Sequence, residues 1–331
     1  MERFRALLID VDEETKELNK KLTELTIDDL PRGEVLIKVH YSSVNYKDGM
    51  ALLNNNKVVT SYPMIPGIDL AGTVTASEDS RFTKGQEVIV TSYELGTGHF
   101  GGYSEYARVP ADWIVPLPEQ LSLRTAMIYG TAGFTAALSI KRLLEEGVTK
   151  EAGPILVTGA TGGVGSMAVM MLYTLGFEVV ASTGKVTEAN YLQSLGASSV
   201  VKRSEFSQQG MKPLQSGKWQ AAIDPVGGQS LANVLAQLRY GGTVAVSGLT
   251  GGVKIPTTVM PFIIRGVNLV GIDSAQYPME KRREVWQFIA EELHENERIE
   301  KIVTEVRLDE VIETLTAITA NNHRGRTIVK I

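Results

Sequence analysis

Apolar residues follow two rhythms along this chain. Up to about residue 124 they fall in short runs broken by proline and glycine. Residues 4–11 and 35–41 (VLIKVHY) read as strands, the second alternating apolar and polar positions as a strand with one solvated face does. YPMIPGIDLAGTV (62–74), KGQEVIV (84–90) and GGYSEYARVP (101–110) continue the pattern. Between them SSVNYKDGMALL reads as a turn into a short helix, with Asn45, Tyr46, Lys47 and Asp48 at its start. The first 124 residues are expected to form a compact, mostly β domain.

From 125 to 273 helices and strands alternate. A helix over 123–146 precedes a strand at 155–158, a helix at 165–175 and a strand at 178–183. A helix at 187–195, strands at 199–203 and from 219 into Asp224, a helix at 230–238 and strands at 243–249 and 268–273 complete the series. This βαβ rhythm predicts an α/β fold with a doubly wound parallel sheet. A helix at 280–293 and a tail ending in TIVKI (327–331) are expected to return to the first domain, so that 274–331 completes it.

The chain is organised around ILVTGATGGVGSMAVMMLYTLG (155–176). An apolar strand, a glycine turn and an apolar helix in that order suit a dinucleotide. One glycine allows the tight turn, one lets the backbone approach a pyrophosphate, and one lets helix and strand pack closely. The alternative is a glycine-rich turn with no ligand. The spacing reads as A-x-G-x-x-G through Ala160, Gly162 and Gly165, or as T-G-x-x-x-G-x-G through Thr158, Gly159, Gly163 and Gly165, the short-chain dehydrogenase pattern. The second reading would place the glycines near the N-terminus, not behind an extra domain. Tyr277 and Lys281 have the Tyr-x-x-x-Lys spacing of that class, but Pro278 between them suits a helix start.

The 331 residues allow two domains, and 43% hydrophobic content supports sizeable cores. A net charge of −5 argues against a nucleic-acid surface. The absence of cysteine removes disulfides and thiolate zinc sites, and fits a cytoplasmic protein. The N-terminal apolar run is too short for a signal peptide. Residues 152–177 carry no charge and are long enough to span a bilayer, but their glycines and strand-then-helix pattern point to a buried core, so no membrane segment is expected.

The segments VNYKDGMAL (44–52), YPMIPGIDLAGTV, GTAGFTA (130–136), TGATGGVGS, SLGAS (194–198), IPTTVMPFI (255–263) and the C-terminal GRTIVK occur in an order that resembles one family over essentially the full length. That family is the zinc-less quinone oxidoreductase branch of the medium-chain dehydrogenase/reductases, of the YhdH/YhfP type also described as acryloyl-CoA reductases. The resemblance implies a Rossmann domain beside a GroES-like catalytic domain. Zinc-containing relatives carry G-H-E-x-x-G where this chain has Gly67-Ile68-Asp69-Leu70-Ala71-Gly72, and their catalytic cysteine position is Tyr46 here. Isoleucine and tyrosine leave no zinc site, so no metal is expected. The implied reaction is hydride reduction of an activated C=C bond in a small-molecule enoyl thioester or quinone. A nucleotide-binding sensor or structural protein without catalysis is the alternative.

An NAD site places an acidic residue about 20 residues beyond the glycines. Here that region reads Ala181-Ser182-Thr183-Gly184-Lys185, with Arg203 after the next strand. A hydroxyl, a glycine and cations suit a 2′-phosphate, and hence NADPH. The family has Ser-Gly-Arg at Thr183-Gly184-Lys185, so a point charge replaces a planar fork. Otherwise Lys185 and Arg203 are ordinary solvated charges.

By resemblance, Thr161, Gly162, Gly163 and Val164 hold the pyrophosphate, Ser247 and Leu249 close over the cofactor, and Ile272 stands near the nicotinamide amide. Tyr46 is the first catalytic candidate: in the family it contacts the cofactor, and its phenol could relay a proton; otherwise it packs. Asn45 is a neutral donor to substrate or cofactor, or a helix N-cap. His99 is a catalytic candidate or a loop hydrogen bonder. Asp69 is expected to bond backbone or Asn45. The edge strand 268–273 is expected to pair across a two-fold in a homodimer.

Overall fold

The computed structural model describes residues 3–331 apart from residues 16, 55, 211 and 321. The chain forms two compact units. The first comprises Met1–Thr131, Ala275–Ala290 and Val303–Ile331, and the second Ala132–Ser274 and Glu291–Ile302.

In the first unit the main sheet runs Val303–Arg307, Arg326–Lys330, Val35–Ser43, Asp69–Ser77, Glu87–Thr91 and Ile114–Pro116, with Tyr106–Val109 also paired to Val35–Ser43. The alternation in Val35–Ser43 puts Val35, Ile37 and Val39 into a core with Leu70, Val74, Val88 and Val90. The C-terminal strand is part of this sheet: Ile328 pairs antiparallel with Ser43. A separate hairpin pairs Arg3–Val11 with Leu18–Thr26 along their whole length. Its second strand has no apolar alternation to announce it, because LNKKLTELT is mostly exposed and held by backbone pairing.

In the second unit the order is Ser199–Lys202, Val179–Thr183, Ile155–Val157, Trp219–Asp224, Leu238–Val246 and Asn268–Gly271, all parallel. Counted along the chain that is 3-2-1-4-5-6, the doubly wound dinucleotide order. Ile155–Val157 and Val179–Thr183 are buried throughout, as strands covered on both faces must be. Helix Gly163–Thr174 follows the glycine turn.

Three elements differ from the sequence expectation. The helix expected over 123–146 spans Leu123–Glu145 but is broken at Gly130, whose φ of 50° and ψ of −155° only glycine adopts readily. The strand expected over 243–249 is Leu238–Val246, so Ser247 and Leu249 lie in the loop after it. The strand expected over 268–273 ends at Gly271, and Ile272 keeps a single bond from its N–H to Val246 O at 2.9 Å.

The C-terminal return is interrupted as well. Glu291–Ile302 belongs to the second unit. There Ile299 and Ile302 are buried and the Arg298 guanidinium stacks 4.4 Å from the Tyr173 ring centre. Among the described residues no helix is long and apolar enough to cross a membrane.

Candidate active site

In the first unit a buried polar cluster forms where Val35–Ser43 ends and helix Tyr46–Ala51 begins. Asn45 is the N-cap of that helix. Its backbone N–H donates to Asp48 Oδ2 at 2.9 Å, closing the first turn. Its side-chain Nδ2 donates to Asp69 Oδ2 at 2.8 Å and to Asp48 Oδ2 at 3.2 Å, while its Oδ1 accepts from Arg326 Nη1 at 3.3 Å. Asn45 is therefore engaged on both sides of its amide, and the bond from Asn45 to Asp69 is as the sequence leads one to expect. Tyr46, the next residue, is 43% exposed.

Asp69 gathers more than Asn45. It accepts from Ser43 Oγ at 2.6 Å, from the Thr131 N–H at 2.8 Å and from Thr131 Oγ1 at 2.5 Å. Arg326, fully buried, donates to Val44 O, Ile128 O and Ser43 Oγ. Burial pushes the Asp48 carboxyl up to about 7; the Asp69 charge pushes it the same way, and the N–H groups of Ile68 and Asn45 oppose it. Burial, then the two aspartates, push the Tyr103 phenol well above its usual range. The cluster can hold a proton internally and fix the helix start rigidly.

His99 Nε2 donates to Arg108 O at 2.7 Å, and the ring stands edge-on to Trp113 with centres 5.2 Å apart. That is the loop hydrogen bond of the two roles open to it. Burial lowers its pKa, opposed by the Arg108 carbonyl and the Glu94 charge.

In the second unit the glycine turn has the shape a phosphate needs. Gly159 has φ 56°, and a Cβ on Gly165 would overlap the Gly159 carbonyl, so helix and turn are packed backbone to backbone. Gly162 caps the helix, which leaves the N–H groups of Gly163 and Val164 without intrahelical acceptors. Thr161 Oγ1 lies 3.3 Å from Thr183 Oγ1, which accepts from the Lys185 N–H at 2.9 Å. Lys202 pairs in register with Thr183, which brings Arg203 alongside. A Cβ on Gly184 would stand 2.9 Å from Arg203 Cζ, so only glycine there lets the guanidinium lie against the backbone. Thr161, Thr183, Gly184, Lys185 and Arg203 thus form one cluster.

Ser247, Leu249 and Ile272 lie apart from it, over the fifth and sixth strands. Ser247 N–H donates to Asp224 O at 3.0 Å, and Leu249 is 63% exposed. Ser247 Oγ is buried with no hydrogen-bond partner among the described residues. An orphaned hydroxyl on one half of the crevice and a cationic cradle on the other fit the two ends of a dinucleotide.

Comparison with known proteins agrees with this anatomy. Residues 31–119 match the alcohol dehydrogenase GroES-like domain and residues 163–291 the zinc-binding dehydrogenase domain. The crystal structure of Bacillus subtilis YhfP with NAD bound superposes with a TM-score of 0.97 at 51% identity, covering 100% of both chains. That of Salmonella enterica YhdH in complex with NADP gives 0.95 at 46%, covering 99% of both. The acrylyl-CoA reductase AcuI of Ruegeria pomeroyi is 45% identical over 99% of each chain. The chain is a medium-chain dehydrogenase/reductase of the zinc-independent YhdH/YhfP branch.

For a medium-chain dehydrogenase/reductase the donor set is decisive. At the positions where the sequence resemblance puts zinc ligands, Ile68 is a buried hydrocarbon and Tyr46 a phenol. Among the described residues no three His, Cys, Asp or Glu side chains are grouped to hold a metal. These residues do not fit zinc. Sequence reading passed over Asp48, Thr131 and Arg326. The only local hint was Asp48 three residues beyond an Asn, the spacing of a capping box.

Proposed function

We propose that this protein is an NADPH-dependent reductase of activated C=C bonds, acting on an enoyl thioester of the acrylyl-CoA kind or on a quinone without zinc. The observation that carries the reading is the cluster of Thr183, Gly184, Lys185 and Arg203 at the end of a strand with no carboxylate there. A ribose 2′-OH calls for an acid at that point, whereas a 2′-phosphate calls for hydroxyl and cation. One relative is known with NAD and another with NADP, so the choice falls to these residues.

When bound, the reduced nicotinamide supplies a hydride to the electron-poor β-carbon of the substrate. Lys185 and Arg203 take the 2′-phosphate. The N–H groups of Gly163 and Val164 and the Thr161 hydroxyl take the pyrophosphate, and Ser247 Oγ meets the nicotinamide end. The Tyr46 phenol delivers the proton that completes the reduction at the α-carbon. Asn45, engaged with Asp69 and Asp48, holds the helix that presents Tyr46.

Loss of NADPH absorbance with acryloyl-CoA and with a benzoquinone tests this reading and separates the substrates. Turnover of at least one is expected, and turnover of neither overturns it. Replacing Tyr46 by Phe should lower kcat about a hundredfold or more, the range of one general acid.

The protein is proposed to be a homodimer. Val253, Val259, Ile263 and Ile264 are exposed apolar residues close in sequence to the sheet-edge strand Asn268–Gly271. A monomeric mass in light scattering at micromolar concentration would refute it.

A further inference from the structure

The second unit contains a buried carboxylate with no part in the reading above. Asp224 ends the fourth strand of the sheet and is fully buried. That strand pairs on one side with Ile155–Val157, the first, and on the other with Leu238–Val246, the fifth. In the 3-2-1-4-5-6 order the boundary between first and fourth strands is where the crossovers turn to opposite faces, and the ligand crevice opens there.

The contacts of Asp224 span that boundary. Its Oδ2 accepts from Thr158 Oγ1 at 2.8 Å, and Thr158 directly precedes Gly159 at the start of the phosphate turn. Its Oδ1 accepts from the N–H groups of Val226 at 3.0 Å and Gly227 at 2.5 Å. Its carbonyl accepts from the Ser247 N–H at 3.0 Å. Burial raises the carboxyl's pKa, and the bonds from Gly227, Thr158 and Val226 oppose it without cancelling it.

The turn that Asp224 grips is itself a seat. Gly227 and Gly228 have φ of 73° and 60°. A Cβ on Gly228 would overlap the Gly251 carbonyl, and one on Gly248 the Pro225 carbonyl. The Gly251 N–H donates to Val226 O at 2.7 Å. The loop that carries Ser247 and Leu249 therefore rests, backbone on backbone, on the turn fixed by Asp224.

We propose that Asp224 is a positioning residue for the nicotinamide half of the dinucleotide. Through Thr158 and the Pro225–Gly228 turn it latches the two halves of the crevice together and sets where Ser247 and Leu249 stand. This rests on the reading that NADPH occupies the crevice.

The test is binding by the full chain of two probes, NADPH and adenosine 2′,5′-bisphosphate, which reaches the Thr183–Lys185–Arg203 end and the glycine turn but not the Ser247 and Leu249 end. Asp224→Ala is expected to weaken NADPH roughly tenfold or more and the bisphosphate less than about twofold. Asp224→Asn can accept from the same N–H groups and pair with the Thr158 hydroxyl, and should bring NADPH back to within about threefold of wild type. Thr158→Val, which removes one bond, should weaken NADPH about threefold and spare the bisphosphate; it carries the test if the alanine variant does not fold. Equal loss of both probes, loss of neither, or an asparagine variant as weak as the alanine one overturns the proposal. Failure of the wild-type chain to bind either probe overturns the NADPH reading and the proposal with it.

Discussion

Asn45 donates its side-chain N–H to Asp69 Oδ2 at 2.8 Å, so the residue that caps the Tyr46 helix is held by a carboxylate in the next strand of the sheet. The same carboxylate takes the Thr131 N–H and hydroxyl at the helix break. Asp69→Ala leaves one N–H of the buried Asn45 amide, the Thr131 N–H and the Ser43 hydroxyl without the carboxylate that accepts them. Each unsatisfied buried group costs about 1–3 kcal/mol, so a loss of roughly 3 kcal/mol or more is expected. The urea midpoint measures it. A loss below about 1 kcal/mol would mean that water replaces the carboxylate.

The carboxyl of Asp48 gives stability a pH slope with a definite sign. Burial raises its folded pKa from 3.8 to about 7. Between those values the native state binds the proton and the unfolded state does not. Stability from this group is therefore fully present below the unfolded pKa and is lost as pH rises toward the folded one. A tenfold difference in proton affinity between the two states is worth about 1.4 kcal/mol, so the loss amounts to a few kcal/mol. Subtracting the stability of Asp48→Asn from that of wild type at each pH isolates the effect, because the other titrating groups cancel. The difference should move against wild type from pH 5 to pH 8. A flat difference would show that Asp48 titrates normally.

Gly130 separates two costs of a side chain that usually come together. Its φ is positive, and a Cβ would stand 2.6 Å from both Asp69 Oδ2 and Ser43 Oγ. Gly147 also has positive φ, at 80°, but no atom of the described residues within 4 Å of the Cβ position. Gly147→Ala should cost about 1 kcal/mol, the conformational strain alone. Gly130→Ala should cost at least about 2 kcal/mol more, because the buried polar cluster must part. Thermal unfolding of the two variants compares them directly, and equal melting points would show that the cluster yields without cost.

Features held by local sequence were readable in advance. The alternation in Val35–Ser43, the strand–glycine–helix at 155–176 and the βαβ rhythm each depend on neighbours within a few turns. The polar cluster does not. Arg326 reaches Ser43 across 283 residues of chain, and no periodicity announces such a partner. The break at Gly130 was hidden for the same reason: GTAGFTA reads as a run of small residues inside a helix, and the Asp69 that captures Thr131 lies 62 residues earlier. Strand Leu18–Thr26 was missed because period-2 patterning reports burial, and this strand has little. Thr183, Gly184 and Lys185 could be picked out locally, whereas the placing of Arg203 against Gly184 follows from the register of Lys202 with Thr183.

That register sets Arg203 against Gly184, the pair on which the proposed preference for NADPH can be tested. Arg203 lies against Gly184 because no Cβ stands between them. Arg203→Ala removes a charge-assisted contact to a 2′-phosphate, worth about 1.5–3 kcal/mol, so NADPH should bind roughly tenfold to a hundredfold more weakly. NADH, which lacks that phosphate, should be unaffected within about twofold. Gly184→Ala acts on the same pair without altering charge. Its methyl would stand 2.9 Å from Arg203 Cζ and push the guanidinium off the backbone. It should shift the ratio of NADPH to NADH affinity in the same direction as Arg203→Ala, and by less, since a long flexible side chain can find a second pose. In Arg203→Ala the added Gly184→Ala change should then have almost no further effect, because the group it displaces is gone. Titration of the four proteins with both nucleotides gives the coupling. Additive losses in the double variant would mean that Gly184 serves the nucleotide directly and Arg203 is a solvated charge.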